Sequence, residues 1–329
     1  MKRLAFFLPI LFASAAWSQS AASFDDREDV REFVADMASR HGFDADALLA
    51  RFHQARHVPA VIKAIQPPAD PGIRSWQSYR ARFVEPKRIA AGKRFITVHR
   101  DTLVRAQKTF GVPKEIIAAI IGVETLYGRH TGNFETFSAL TTLAFDYPPR
   151  APLFRRELEA LLLLARDEGR APESYRGSYA GALGLPQFLP SSLRAWAEDF
   201  DGDGQIDLKA PDDAIGSVGH FLAEHGWERD GPIWQAATAD GERATALLSE
   251  GIEPRRTPRE LAAMGVTSDN APDAPAALVD LVTPGKATEY RLGYRNFYVL
   301  TRYNRSTFYA SAVADLAAAL VAGGIENSR

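Results

Sequence analysis

The stretch Pro113-Lys-Glu-Ile-Ile-Ala-Ala-Ile-Ile-Gly-Val-Glu124-Thr-Leu-Tyr-Gly128 is apolar on nearly every face. Pro113 suits the first helical position, Glu115 the positive end of the helix dipole, and Gly128 the end of the helix. A helix that is apolar all round is a buried one. Glu124 is the only carboxylate from Ile116 to Gly128. Desolvation in an apolar wall disfavours the charged form, so its pKa is expected to rise. A carboxylic acid held protonated near neutral pH is a general acid. The competing reading is a buried Glu paired with an Arg for structure.

Outward from this helix, most of the chain reads as further helices. Asp29–Arg40 carries Val30, Phe33, Val34 and Met37 at helical spacing, and Asp44 is placed to cap a second helix. Gln66–Gly72 is a loop by its turn residues, and Trp76, Tyr79 and Phe83 form an aromatic stripe. Ile89–Phe110 reads as one helix ended by Gly111; Thr136–Phe145, Leu153–Glu168, Asp213–Gly226 and Val313–Val321 follow. Between Ser174 and Ser192 the texture changes to Gly, Ser and aromatics without a period, and Ser191 or Ser192 is the expected N-cap of a helix Leu193–Glu198. From Glu228 to Arg295 short apolar pieces at Ala277–Val282 and Glu289–Leu292 suggest a small α/β insertion.

Asp199-Phe-Asp201-Gly-Asp203-Gly204-Gln205-Ile206-Asp207 has acids at positions one, three and five, Gly at six and an apolar residue at eight. That is the opening of an EF-hand calcium loop. Ala210, at position twelve, cannot supply the usual bidentate acid, which leaves Asp212 or Asp213. Three carboxylates so close repel one another unless a cation joins them.

The 329 residues are 46% hydrophobic and 24% charged, with a net charge of −2. A globular protein of two or three domains follows, and no general nucleic-acid binder. With no cysteine there is no disulfide, thiolate or lipid-modified Cys. There is no HExxH, no GxSxG elbow, no dinucleotide glycine fingerprint and no phosphate-cradling loop. Lys2 and Arg3 before the apolar run Leu4–Trp17 form a secretory signal, expected to be cleaved after Ala15, Ser20 or Ala22. No other segment is apolar enough to span a bilayer. A buried acid, a Gly/Ser/Gln loop and many tyrosines suit a glycan substrate outside the cytoplasm.

Gly122–Gly128, Ser178-Tyr-Ala-Gly-Ala-Leu-Gly-Leu-Pro-Gln187-Phe-Leu-Pro-Ser-Ser192, Ala214–Val218 with His225-Gly-Trp227, and Asn296–Tyr309 follow one another along the chain. Together they resemble the lytic murein transglycosylases of the B type, over Asp29 to Leu320. The resemblance implies a mainly α (α+β) fold with a signal peptide over 1–22 and a helical N-terminal domain over 23–105. It implies a lysozyme-like helical core over 106–227 and 296–329, with the EF-hand-like loop 199–213, and a small α/β insertion over 228–295. It implies cleavage of the MurNAc–GlcNAc β-1,4 bond of peptidoglycan strands without water, leaving a 1,6-anhydro end; the family's founding type carries a lipidated Cys, and with no Cys here a soluble periplasmic form is expected. Glu124 falls on the family's single catalytic acid. Ser178, Gln187, Tyr79, Tyr127, Tyr303, Asn304 and Tyr309 fall on substrate-binding positions. Asp199, Asp201, Asp203, Gln205 (by its carbonyl) and Asp213 fall on the ligands of a structural Ca2+. Catalysis needs no cofactor, and cell-wall synthases are the implied protein partners. The chain departs from the pattern at Tyr127, where many members carry Trp, at Leu183, where Met is common, and at Phe221 and Leu153, where relatives carry tyrosines.

One acid also fits that chemistry. Glycosidases that use water or a covalent intermediate place two carboxylates about 5–10 Å apart. Here the nearest candidates for a second, Asp146 and Glu157, lie beside Pro- and Arg-rich stretches that suggest capping or pairing. A second carboxylate at the bond would make the protein a muramidase, and loss of catalysis would make it a peptidoglycan-binding scaffold.

Overall fold

In the computed structural model, residues 23–67, 74–239 and 241–322 are described. The signal-peptide reading and most of the Gln66–Gly72 loop lie outside them. The chain forms two compact units, one up to Ala55 and the other from Arg56 onward. The first contains α1 (Glu28–His41) and α2 (Ala45–Gln54). Val30, Phe33, Val34 and Met37 of α1 and Leu48 and Phe52 of α2 are buried, and Phe33 meets Phe52 edge-on at 6.0 Å. Asp44 caps α2 by accepting the Ala47 N–H at 2.9 Å.

The second unit is built round the apolar stretch quoted above. It opens with α3 (Pro59–Ile65), α4 (Trp76–Phe83), α5 (Pro86–Val98), α6 (Arg100–Phe110) and α7 (Lys114–Thr125). Every residue of α7 from Ile116 to Val123 is buried, and the helix is packed by α5, α6 and two later helices, α11 (Pro211–Glu224) and α15 (Thr307–Val321). Each fully buried Ile in it contributes roughly 2 kcal/mol of hydrophobic stabilisation. A second helical layer is α8 (Thr136–Asp146), α9 (Ala151–Asp167) and α10 (Pro190–Trp196). The strands β1 (Phe134–Glu135) and β2 (Arg176–Gly177) form a short antiparallel pair. A four-stranded antiparallel sheet follows, ordered β4-β3-β6-β5, from β3 (Trp234–Ala239), β4 (Val266–Thr267), β5 (Ala277–Leu281) and β6 (Glu289–Gly293). With α12 (Gly241–Ser249) and α13 (Pro258–Ala263) it encloses its own small core of Ala244, Leu247, Leu261, Val266, Leu278 and Leu292. The chain returns through α14 (Arg295–Tyr303) to α15, which packs on α7. The molecule is thus mainly helical with small sheets, as the sequence implied. Among the described residues no helix is long and apolar enough to cross a membrane.

Several boundaries differ from expectation: Pro113 is the N-cap of α7 and not its first residue, and α15 starts at Thr307, not Val313. The helix read as Ile89–Phe110 breaks at His99, whose φ of −105° and ψ of 31° separate α5 from α6 without any Pro or Gly. Helix α7 stops at Thr125, before Gly128, because Leu126 already takes a left-handed conformation. Helix α10 starts at Pro190 rather than Leu193, so neither Ser191 nor Ser192 is its N-cap. The buried carboxylate of Glu157, on α9, caps it instead, accepting the Ser191 N–H at 3.0 Å and its hydroxyl at 2.7 Å.

Candidate active site

Glu124 is the penultimate residue of α7, at the negative end of the helix dipole, which opposes ionisation. The chain then takes three left-handed residues in succession, Leu126 (φ 53°), Tyr127 (φ 57°) and Gly128 (φ 86°). Each of the first two costs about 1–2 kcal/mol for a side-chain-bearing residue. Buried contacts hold this turn in place. The Thr125 hydroxyl donates to the Leu185 carbonyl at 3.0 Å and accepts the Gly128 N–H at 3.0 Å. The Leu126 N–H reaches the Gly122 carbonyl at 3.1 Å, and the Arg88 guanidinium donates to that same carbonyl from α5. The acid therefore projects from a fixed corner, partly open while its helix is buried.

Burial pushes the Glu124 carboxyl up from 4.5 to about 7, and a hydrogen bond from Tyr309 holds it back. Tyr309 is 2% exposed, stands in the first turn of α15, and donates its hydroxyl to Glu124 Oε1 at 2.7 Å. Tyr303, in the last turn of α14, lies parallel to it with ring centres 6.3 Å apart. Its hydroxyl donates to the Pro186 carbonyl at 2.6 Å, tying the Gly/Ser loop to the aromatic pair. Tyr79, on α4, packs against Phe308 at 5.6 Å and Phe83 at 5.0 Å. All three phenols are raised, by burial first and then by the negative charge of Glu124, which puts them in electrostatic reach of the acid.

Ser178 and Gln187 line one cavity of about 370 Å3 together with residues of the 129–134 turn. The Ser178 hydroxyl accepts the N–H groups of Ala180 and Ala182, at 3.3 and 3.0 Å. Gln187 sits at φ 54°, and its amide N–H donates to the Thr131 and Gly184 carbonyls, at 3.1 and 2.9 Å. Gly132 (φ 89°) closes the cavity at a point where any Cβ would run into the Gly177 carbonyl. Asn304 is exposed at the end of α14.

Tyr127 is placed differently. Its ring lies against Gly92 and Gly122, with Phe95 at 5.3 Å, and its hydroxyl is buried without a hydrogen-bond partner. It packs between α5 and α7. Arg88, which braces the carbonyl two residues before the acid, had no signal in the sequence.

Neither candidate for a second acid joins Glu124. Glu157 is committed to α10, and Asp146 pairs with His57 at 3.3 Å. Burial and Tyr309 account for the Glu124 shift, with no neighbouring carboxylate contributing. One carboxyl group that can both give and take a proton near pH 7, set against tyrosine faces, is equipped for acid–base chemistry on a polyhydroxylated substrate.

In the acidic loop, Asp199, Asp201 and Asp213 each bring a carboxylate oxygen within 4.8 Å of the others. Asp213, 2% exposed, accepts the N–H groups of Phe200 and Asp207 at 2.8 Å each, which fixes the loop. The Asp203 N–H pulls Asp201 down, but desolvation and the charges of Asp203, Asp213 and Asp199 together leave its carboxyl raised. Such mutual repulsion among oxygen donors fits a hard divalent cation. Asp203 lies outside this trio, its carboxylate accepting the Gln205 N–H at 2.8 Å.

The scaffold is mainly helical and carries a part-buried carboxyl group held by a tyrosine, an arrangement suited to acid–base chemistry. Residues 25–318 match the model of the transglycosylase SLT domain, and the chain belongs to that family. It is 38% identical over 321 residues to membrane-bound lytic murein transglycosylase B of Escherichia coli K12, covering 94% of this chain and 87% of that protein. The crystal structure of the soluble lytic transglycosylase SltB1 from Pseudomonas aeruginosa superposes with a TM-score of 0.83 at 44% identity, over 89% of this chain and 98% of that one. The Escherichia coli lytic transglycosylase Slt35 in complex with calcium superposes with a TM-score of 0.81 at 37% identity, over 95% and 98%.

Proposed function

We propose that this protein is a peptidoglycan lytic transglycosylase with Glu124 as its sole catalytic acid and base. The observation that carries the reading is the placement of Glu124, part-buried at the end of α7, held at 2.7 Å by Tyr309 and pushed by burial to about 7, with no other carboxylate among the described residues contributing to that shift. In its protonated form Glu124 gives its proton to the glycosidic oxygen as the C1–O bond breaks. The resulting carboxylate takes the proton of the C6 hydroxyl while that oxygen bonds to C1. The acid is regenerated, no water is consumed, and the product carries a 1,6-anhydro ring. Tyr309 holds the carboxyl in place; Tyr79 and Tyr303 offer faces for sugar rings, and Ser178 and Gln187 offer polar contacts in the adjoining cavity.

Asp199, Asp201 and Asp213 are the side chains to hold a structural Ca2+, supported by their mutual approach and by the calcium complex of Slt35. Asp203 and the carbonyl of Gln205 complete the proposed set. The ion would brace the loop before α11 and takes no part in the chemistry. A peptidoglycan substrate and the signal-like sequence of residues 1–22 support a periplasmic location. The separate core of Leu247, Leu261, Leu278 and Leu292 supports treating 228–295 as an insertion in the catalytic core.

Mass spectrometry of products from purified peptidoglycan tests the reaction. Muropeptides bearing non-reducible anhydro ends are expected, and none from Glu124→Gln. Products ending in reducing MurNAc would mean a hydrolase and overturn the reading.

A further inference from the structure

Beside the wall that carries Tyr79, helix α4 opens on a second cavity, of about 560 Å3, between α15 and the β5–β6 edge of the sheet. Its base is a guanidinium between two indoles. Arg291, 3% exposed, lies over the Trp234 ring at 3.8 Å and near that of Trp76 at 5.4 Å. The two acids there are already engaged. Asp315 binds Arg291 at 2.7 Å and Arg80 Nε at 2.6 Å, while Glu289 binds Arg291 at 2.6 Å and the Trp76 N–H at 3.0 Å. Three cations, Arg80, Arg291 and Lys286, thus face two anions. The surplus positive charge is exposed, because Lys286 has no ion partner among the described residues. Arg80 spends only Nε on Asp315, and its terminal N–H groups remain for a ligand. Gln77 adds an exposed amide at the rim.

We propose that this cavity binds the carboxylate-bearing peptide stem of the glycan strand. The inference rests on the reading above that the substrate is peptidoglycan. A spare ammonium and guanidinium N–H groups match carboxylates, and the edge of Trp234 and the Gln77 amide match peptide planes. The cavity also lies within range. The Trp76 ring is stacked on Tyr79 at 6.5 Å, and Tyr79 packs at 5.6 Å on Phe308, whose chain neighbour Tyr309 is hydrogen-bonded to Glu124. A sugar held against Tyr79 therefore sits one aromatic ring from the cavity, and a five-residue stem extends up to roughly 17 Å.

The test uses two substrates: strands carrying their stems, and the same strands stripped of stems by an amidase. Lys286→Glu and Gln77→Ala alter exposed side chains and leave the Arg291–Asp315 network intact. On stem-bearing strands kcat/KM of Lys286→Glu is expected to fall about five- to tenfold, that of Gln77→Ala less. On stripped strands both variants should match the wild type. Free stem pentapeptide should quench tryptophan fluorescence saturably in the wild type, and far less in Lys286→Glu. Equal rates on both substrates, or equal losses on both, would overturn the stem site while leaving the transglycosylase reading standing. A wild type that cleaves neither substrate would overturn that reading, and the stem site with it.

Discussion

Tyr309 donates its hydroxyl to Glu124 at 2.7 Å while Glu124 titrates near 7, so the acid is poised between its two roles by burial acting against one hydrogen bond. The two effects have opposite signs and can be separated. Tyr309→Phe removes the donor that favours the carboxylate, and the Glu124 pKa should rise by up to about one unit. Activity requires the protonated acid, so the alkaline limb of the kcat/KM profile should move to higher pH. A limb that stays fixed or moves down would refute this account of Tyr309.

Glu124→Gln separates stability from turnover. The folded-state pKa lies above the unfolded one, so the folded protein binds the extra proton between pH 4.5 and 7. Stability therefore falls as pH rises through that window and stays lowered above it, by roughly 3 kcal/mol. Gln carries no such penalty. Turnover should disappear, and the melting temperature should rise by several degrees at pH 8 and hardly at pH 4.5. Calorimetry across this range checks the sign; a variant less stable than wild type at pH 8 contradicts it.

The acidic loop predicts a stabilisation that depends on Ca2+. At a free ion concentration a hundred times Kd, binding contributes about 2.7 kcal/mol, a rise of several degrees in Tm. Asp213→Asn would also disturb the loop, since that carboxylate holds the N–H groups of Phe200 and Asp207. Asp201→Asn is the cleaner variant, because Asp201 is exposed and its carboxylate accepts only the Asp203 N–H among the described residues. Its Tm in chelator should equal or slightly exceed that of wild type, because one repelling charge is removed, and the rise with Ca2+ should vanish.

What could be read along the chain was whatever depends on local pattern. The buried α7 was legible because apolar residues on every face leave no solvated side. The approach of Asp199 and Asp201 was legible because they lie at alternate positions in one turn, whereas the spacing left Asp212 and Asp213 open and only the resemblance picked out Asp213. Features set by distant partners were not. Nothing around His99 marks the break between α5 and α6. The left-handed Leu126 and Tyr127 end α7 against local preference, held by Thr125 and by the carbonyl of Leu185, sixty positions further on. For the same reason the Tyr127 ring turns inward against Gly92. The cap of α10 comes from Glu157 on another helix.

Arg88 is the sharpest case of such a distant partner. Its guanidinium donates to the Gly122 carbonyl, two residues before the acid, and its Nε is buried without a hydrogen-bond partner. The α7 terminus is strained by the left-handed turn that follows, so removing this brace should let Glu124 shift. A misplacement of about 1 Å can cost two orders of magnitude in rate. Arg88→Met keeps an unbranched apolar stem and removes the donors, together with the guanidinium's place over the Phe83 ring at 5.3 Å. We expect kcat to fall at least tenfold with KM within about twofold, since the faces of Tyr79 and Tyr303 are untouched. Arg88→Lys, which can still donate to the carbonyl, should recover part of the loss. If KM rises while kcat holds, or if Arg88→Lys is no better than Arg88→Met, then Arg88 does not position the acid.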